Sequence, residues 1–402
     1  MIAAVAAFAL IVSNGLSTVG IPVFYKTIRE EFVALGAVPA SGAETFIANG
    51  ANLTFLLSGV FYMIGGWMIV RFGLKRLMVL GCVCLGEGLV IHSQATGAAG
   101  VYFSRVLMGA SLGFVGVTPN VVLVSAWFRE KRGTALGLVL TGTSLGGVLI
   151  PLVAAPLIMH LGWRAAMLAV SMIVWLMLLP AVVFLVRERP DERSSEETDK
   201  TAAGMTLGEA VRTPVFWIFG LCAALVFYPI FVTSQQFNLY LQTPKIGFSL
   251  EAAAWAQSLL FVMSVGGKFA AGYLSDRFAA GYVMLGCCLL MFLATVVLLH
   301  LNASTAMVFL LPFGLGYGGT FVMLQRLAAD YFGLREYGKI LGTITLLEVI
   351  GAAVGGRLTG YLADLAGGDY TFAFYGVIVA AAAATACVLI LLKVNRRGAV
   401  AV

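Results

Sequence analysis

The sequence predicts an all-α polytopic membrane protein of twelve transmembrane helices arranged as two pseudo-symmetric six-helix bundles. Three observations carry that prediction. The 402 residues are 60% hydrophobic and only 11% charged, with a mean hydropathy of +0.98, far from the composition of a soluble domain. The apolar residues fall in runs long enough to cross a hydrocarbon core, which takes about 20 residues per helix. The runs also repeat, with matching landmarks about half a chain apart.

Backbone groups in lipid must be satisfied within the segment, so long apolar runs are helices rather than open strands. A membrane barrel needs alternating apolar and polar positions over roughly ten residues per strand, and no such alternation is present. The runs place spans at 2–24, 47–70, 77–95, 99–126, 134–159, 164–186, 213–240, 251–275, 281–300, 305–331, 339–364 and 370–393. The first of these, Ile2 to Phe24, lacks a basic leader and a small-residue cleavage site, so it reads as a retained helix rather than a signal peptide.

Lysine and arginine set the orientation, because short cytoplasmic loops carry the excess. With both termini inside, 17 of the 25 basic residues fall in cytoplasmic segments, 4 in outer loops and 4 within spans. The expected location is therefore the plasma (inner) membrane with cytoplasmic termini. The net charge of +6 is accounted for by topology, and no nucleic-acid partner is expected. Cys82, Cys84, Cys222, Cys287, Cys288 and Cys387 all lie in apolar runs, where a thiol acts as a small hydrophobe; no disulfide, metal or cofactor is expected.

A mixed-charge stretch poor in large apolar side chains, Arg187 to Arg212, divides the chain. The expected organisation is a bundle over 1–186, a cytoplasmic linker over 187–212 and a second bundle over 213–402. Internal repetition supports it: Gly66, Arg71 and Phe72 match Gly272, Arg277 and Phe278 at an offset of 206. Phe128, Gly133 and Gly137 match Phe332, Gly338 and Gly342 at offsets of 204, 205 and 205. Homologous halves joined by a linker form the architecture of a transporter that rocks about a central site.

The turn Gly66 to Arg76 resembles the G-x-x-x-D-R-x-G-x-K/R signature of the major facilitator superfamily, and Gly272 to Arg277 resembles its second copy. Arg105, Gly109 and Gly113 resemble the R-x-x-x-G motif of the fourth helix. WFREKRGTALGL, the Gly162 to Arg164 turn, the Arg189–Pro190 step, EAVRTPVFWIFG and IGFSLEAAAWAQS look like the monocarboxylate porter and oxalate/formate antiporter branch. The first signature copy departs by carrying Val70 in place of aspartate, the second by carrying Ala279 in place of glycine. Asn14 stands where many monocarboxylate porters have an acid, and Lys268 where the branch usually has arginine. The resemblance implies a secondary transporter that works by alternating access.

An ionised side chain in hydrocarbon costs roughly 2.5 to 3.5 kcal/mol on insertion scales, so ionisable groups within spans are the first functional candidates. Lys268 lies in the eighth span among Gly266, Gly267 and Gly272, small residues that admit a close neighbour. The resemblance implies that it binds a substrate carboxylate; an ion pair with Glu348 and snorkelling toward the cytoplasm are the alternatives. Glu348 is expected near the bilayer midplane as proton carrier or as counter-ion of Lys268, against a purely structural hydrogen bond. Arg105 is expected at the central cavity, against a structural pairing. Arg357, nine residues beyond Glu348 and so on the opposite helix face, is either a second anion-binding group or the partner of Asp364.

Arg326 is expected to pair with Asp330 at the interface, Glu87 to pack within its helix, and His92, His160 and His300 to lie at outer helix ends. Because the first, fourth, seventh and tenth helices line the cavity in the superfamily, Asn14, Ser17, Thr18, Thr118, Asn120, Tyr228, Gln235, Gln236 and Asn238 are expected lining residues. Thr141, Thr143 and Ser144 of the fifth span complete that set. Arg71, Asp276 and Arg277 are expected to gate, with the second copy dominant because Val70 cannot pair. The expected function is proton-coupled transport of a small organic anion, most simply a monocarboxylate such as lactate or pyruvate, by a monomer in membrane lipid. The alternatives are a neutral or drug-like substrate and a non-transporting receptor on the same fold. No nucleophile–base pair or phosphate loop points to an enzyme.

Overall fold

A computed structural model describes residues 1–39, 43–128, 130–187, 204–235, 237–241, 246–248, 250–300, 302, 305–365 and 370–399. The spanning helices are α1 (Ile2–Asn14), α2 (Ala43–Phe72), α3 (Leu74–Gln94), α4 (Ala98–Val115 and Val117–Trp127), α5 (132–161) and α6 (163–185), then α7 (Pro214–Gln235), α8 (Leu250–Ser275), α9 (Ala280–Val297), α10 (Ala306–Phe332), α11 (Tyr337–Leu365) and α12 (Thr371–Ala399). Among the described residues, ten continuous helices are long and apolar enough to cross a membrane. One of these, Arg132–Leu185, turns back at Gly162 and counts as two, and α3 fills the third place, which gives the twelve expected spans.

Two turns rest on glycines in backbone conformations that side chains resist. Gly73 (φ 84°) separates α2 from α3 with a single residue, and Gly162 (φ 77°) reverses the chain between α5 and α6. Hydropathy alone misses two local departures. The first apolar run is a regular helix only to Asn14; it continues as a π-helical turn over Gly15–Val19 and a 3-10 turn over Ile21–Phe24, then a short helix, Tyr25–Ala34. A Cβ on Gly15 would stand 2.5 Å from the Ile150 side chain, so a tight contact with α5 shapes this departure. α4 breaks at Gly116, where Asn120 Nδ2 donates to the carbonyls of Val115 (2.8 Å) and Gly116 (2.7 Å).

The chain forms two compact units. The first comprises Met1–Trp127, Gly142–Ala202 and Glu336–Thr343; the second comprises Phe128–Thr141, Ala203–Arg335 and Ile344–Val402. In the first, α4 packs on α2 and α3; in the second, α10 packs on α8 and α9, and α12 on α7 and α9. Each unit takes in a short segment from the other half of the sequence, and glycine makes room for it. In the first, Gly338 and Gly342 of α11 lie against the backbone of Gly66 and Tyr62; in the second, Gly133 and Gly137 of α5 lie against Gly272 and Lys268. The counterparts obey the repeat found in the sequence: Gly66 and Gly272 are 206 residues apart, Gly137 and Gly342 are 205 apart.

Candidate substrate and gating sites

Lys268 is 1% exposed, so its amine has left water. Its environment is aromatic: Nζ lies 4.8 Å from the centroid of Phe321 and 5.7 Å from that of Tyr317, both on α10. A ring face attracts a desolvated ammonium through its quadrupole. The approach of α10 depends on Gly267, Gly314 and Gly318, where any Cβ would strike the backbone or side chains of the facing helix. Glu348 of α11, in the same unit, is 2% exposed, and its Oε1 has no hydrogen-bond partner among the described residues. A buried carboxyl oxygen without a protein partner can receive a proton or a ligand donor without first breaking a protein contact.

Arg105 sits in the first unit at 2% exposure. Its guanidinium lies 5.3 Å from the centroid of Tyr25, and Nε and Nη1 donate to no described residue. Thr54 Oγ1 donates to the Arg105 carbonyl at 3.2 Å, tying α2 to α4 at this level. A buried arginine with open N–H groups has donors to offer an anion.

Several expected lining residues have their polar atoms engaged locally. Asn120 commits its amide hydrogens to the break in α4 and leaves only buried Oδ1 open among the described residues. Tyr228, 8% exposed, has its hydroxyl 3.0 Å from Thr359 Oγ1, joining α7 to α11. Asn14 Nδ2 reaches Ser13 Oγ at 3.5 Å, and its carbonyl accepts from Thr18. Ser17 Oγ lies 3.1 Å from Ser111 Oγ, between the π-helical turn and α4. Arg357 is exposed, on the face opposite Glu348 as the helical period requires, while the side chain of Asp364 lies outside the described residues. The side chains of Gln235, Gln236 and Asn238 also lie outside them.

The gating candidates divide clearly. Asp276, just beyond α8, accepts from the backbone N–H groups of Gly133 (2.9 Å) and Thr134 (2.7 Å) and from Arg326 Nη1 (2.8 Å). Arg326 Nε also holds Asp330 at 3.1 Å, and Arg132 Nη1 stands 3.7 Å from Asp330. One carboxylate thus caps the start of α5, where free N–H groups and the helix dipole favour negative charge. Partial burial would raise the Asp276 carboxyl, but the hydrogen bonds from Thr134, Arg326 and Gly133 outweigh it and hold the group below its ordinary value of 3.8. Arg277 and Arg71 are exposed and rest over their neighbours Tyr273 (4.3 Å) and Phe72 (5.6 Å). In the first unit Val70 supplies no acid at the start of α11; there Lys339 pairs with Glu336 and lies 5.5 Å from the Trp67 centroid.

The profile of the Major Facilitator Superfamily matches residues 3–245 and 243–401. The chain belongs to the Major Facilitator Superfamily. It is 26% identical over 308 residues to the MFS transporter asaE of Aspergillus flavus, covering 76% of this chain and 68% of that one. It is 27% identical over 348 residues to monocarboxylate transporter 13 of Bos taurus, covering 86% and 79%. Among solved structures, the proton:xylose symporter XylE superposes with a TM-score of 0.76 at 15% identity, over 96% of this chain and 94% of that one. That likeness fixes the fold, and superfamily membership makes the chain a multi-pass membrane transporter rather than an enzyme.

Within this superfamily member, sequence reasoning misjudged or missed three features. His92 lies in the last turn of α3 as expected, but it is fully buried there, with Nδ1 2.7 Å from Ser104 Oγ, because the end of α3 packs against α4. Glu87, expected in a packing role, is exposed. The third feature is a knot around the Gly162 turn, where Glu31 accepts from Trp163 Nε1 and from Arg164 Nε (2.8 Å). Arg164 also donates to the carbonyls of Ser93 (2.6 Å) and Ala95 (2.8 Å) at the end of α3. The glycine–tryptophan–arginine triplet was visible in the sequence, but nothing local pointed to Glu31, 133 residues earlier.

Proposed function

We propose that the protein is a secondary active transporter that moves a small organic anion, a monocarboxylate such as lactate or pyruvate, across the plasma membrane by alternating access with proton coupling. Lys268 and Arg105 bind the carboxylate, and Glu348 carries or balances the proton. Asp276 gates through its hold on the start of α5, the two halves 1–186 and 213–402 rock about the site, and both termini are cytoplasmic. The observation that carries the reading is Lys268, an ammonium at 1% exposure within a spanning helix over the rings of Phe321 and Tyr317. Holding a charge there costs several kcal/mol, and a substrate carboxylate brought to it offsets part of that cost. The 27% identity to a monocarboxylate transporter over most of both chains favours the same substrate class.

The deciding experiment is uptake of labelled lactate and pyruvate into proteoliposomes under an imposed pH gradient. Uptake that rises with an inward proton gradient, is lost in Lys268→Ala and becomes insensitive to the gradient in Glu348→Gln is the expected result. Full uptake by Lys268→Ala, or no gradient-dependent uptake of any short carboxylate, overturns the proposal.

A further inference from the structure

The short helix Tyr25–Ala34 lies between α1 and α2, where the sequence alone suggests only a connecting loop. It is amphipathic in place: Ile28 and Phe32 are fully buried, whereas Lys26 and Glu30 are exposed. Phe32 stacks on Phe46 (centroids 5.6 Å apart, planes at 24°) and packs near Trp163 at 6.4 Å. At its first residue the ring of Tyr25 covers the guanidinium of Arg105 at 5.3 Å. Near its other end, Glu31 is gripped by Trp163 and Arg164, and Arg164 is itself anchored to two carbonyls at the end of α3. One ten-residue helix therefore joins the buried arginine at its start to the Gly162 turn at its end.

We propose that this helix is a cover over Arg105 and that Glu31, held by Trp163 and Arg164, is the latch that keeps it closed. Tyr25, Glu31, Trp163 and Arg164 are then positioning residues for carboxylate binding. This rests on the proposed binding role of Arg105. The Tyr25 ring occupies one face of the guanidinium and leaves the in-plane N–H groups, which no described residue takes up at Nε and Nη1, to a planar carboxylate. The latch is suited to opening: the Glu31 and Arg164 side chains keep 35% and 31% of their exposure, so water already reaches the pair and it contributes modestly.

The test is hydrogen–deuterium exchange of amides 25–34 in the full-length protein in liposomes, paired with uptake kinetics for labelled lactate. Glu31→Gln keeps an acceptor but removes the charge, and Trp163→Phe keeps the ring but removes the donor. In each, exchange over 25–34 is expected to rise about five- to tenfold, the shift produced by losing one partly exposed charge-assisted contact. Glu31→Asp is expected to restore slow exchange. For lactate, Glu31→Gln is expected to change KM with kcat retained, because the latch acts on access and not on the later steps. Exchange over 25–34 that is unchanged in Glu31→Gln overturns the latch. If exchange responds but Arg105→Gln transports lactate like the parent protein, the latch stands and the binding role of Arg105 fails.

Discussion

Replacing Asp276 with alanine removes the acid that accepts from the Gly133 and Thr134 amides at the start of α5. Three contacts go: the N–H groups of Gly133 and Thr134 lose their acceptor, and Arg326 loses one of its two carboxylate partners while retaining Asp330 at 3.1 Å. Loss of a helix cap costs about 0.5–2 kcal/mol, and loss of a hydrogen bond to a charged group about 1.5–3 kcal/mol. The Asp276 and Arg326 side chains are only 10% and 16% exposed, so solvent replaces little of this. Since Arg326 keeps one partner, a total of about 3 kcal/mol is expected, equivalent to roughly a hundredfold shift in an equilibrium constant. Thermal unfolding of the detergent-solubilised protein, followed by tryptophan fluorescence, is expected to show a Tm lower by at least about 5 °C for Asp276→Ala. Asp276→Asn, which keeps one acceptor oxygen, falls between. The pH dependence follows from the sign of the shift. A carboxyl held below 3.8 in the folded protein contributes fully above that value and loses its contribution as pH falls through the lower folded value. The Asp276 contribution is therefore constant between pH 5 and 8, and titration of transport in that range comes from another group. An Asp276→Ala protein that melts within about 1 °C of its parent would refute the capping argument.

Three further outcomes follow from the same geometry. Gly137→Ala places a Cβ 2.6 Å from the Lys268 carbonyl and 3.1 Å from Gly272 Cα, so it is expected to cost about 1–3 kcal/mol by overpacking and to abolish lactate uptake in proteoliposomes. Val70→Asp restores the acid missing from the first copy of the repeat, near Gly338 and Lys339; thermal unfolding is expected to show stabilisation of about 1 kcal/mol, with slower turnover in uptake assays. Tyr228→Phe removes the hydroxyl shared with Thr359; a stability loss of about 1 kcal/mol with unchanged KM for lactate is expected, since the hydroxyl is spent between helices.

How much of this was legible in the sequence depends on whether the determining contact was local. Hydropathy located the spans because each helix must bury its own backbone, whatever its neighbours. It failed over residues 15–24, where the helix gives way to π-helical and 3-10 turns under contact with Ile150, a residue more than a hundred positions away. It also misjudged His92, whose burial is decided by packing against α4. The acid at 276 and its absence at 70 were plain in the repeat, yet the partners of Asp276 are backbone N–H groups of Gly133 and Thr134, which every sequence contains and no motif marks.

The repeat also located a division that only the structure explains. Lys268 and Asp276 are replaced by Tyr62 and Val70 in the first half, so both charges belong to α8 and the turn that ends it. Residues 268, 272 and 276 recur every fourth position and so lie along one stripe of that helix. The start of α5 lies on this stripe: Gly137 against the Lys268 carbonyl, Gly133 against Gly272, and the Gly133 and Thr134 amides on Asp276. Gly137 and Gly272 bring the two backbones together with no side chain of their own to absorb a displacement. Any movement of α8 that accompanies a change at Lys268 must therefore reach the Asp276 cap two turns away, because close-packed backbones slide or separate as bodies and do not deform continuously. This contact couples the proposed anion-binding lysine to the proposed gating aspartate at the end of the same helix, and it is why the glycine at 137 matters to both.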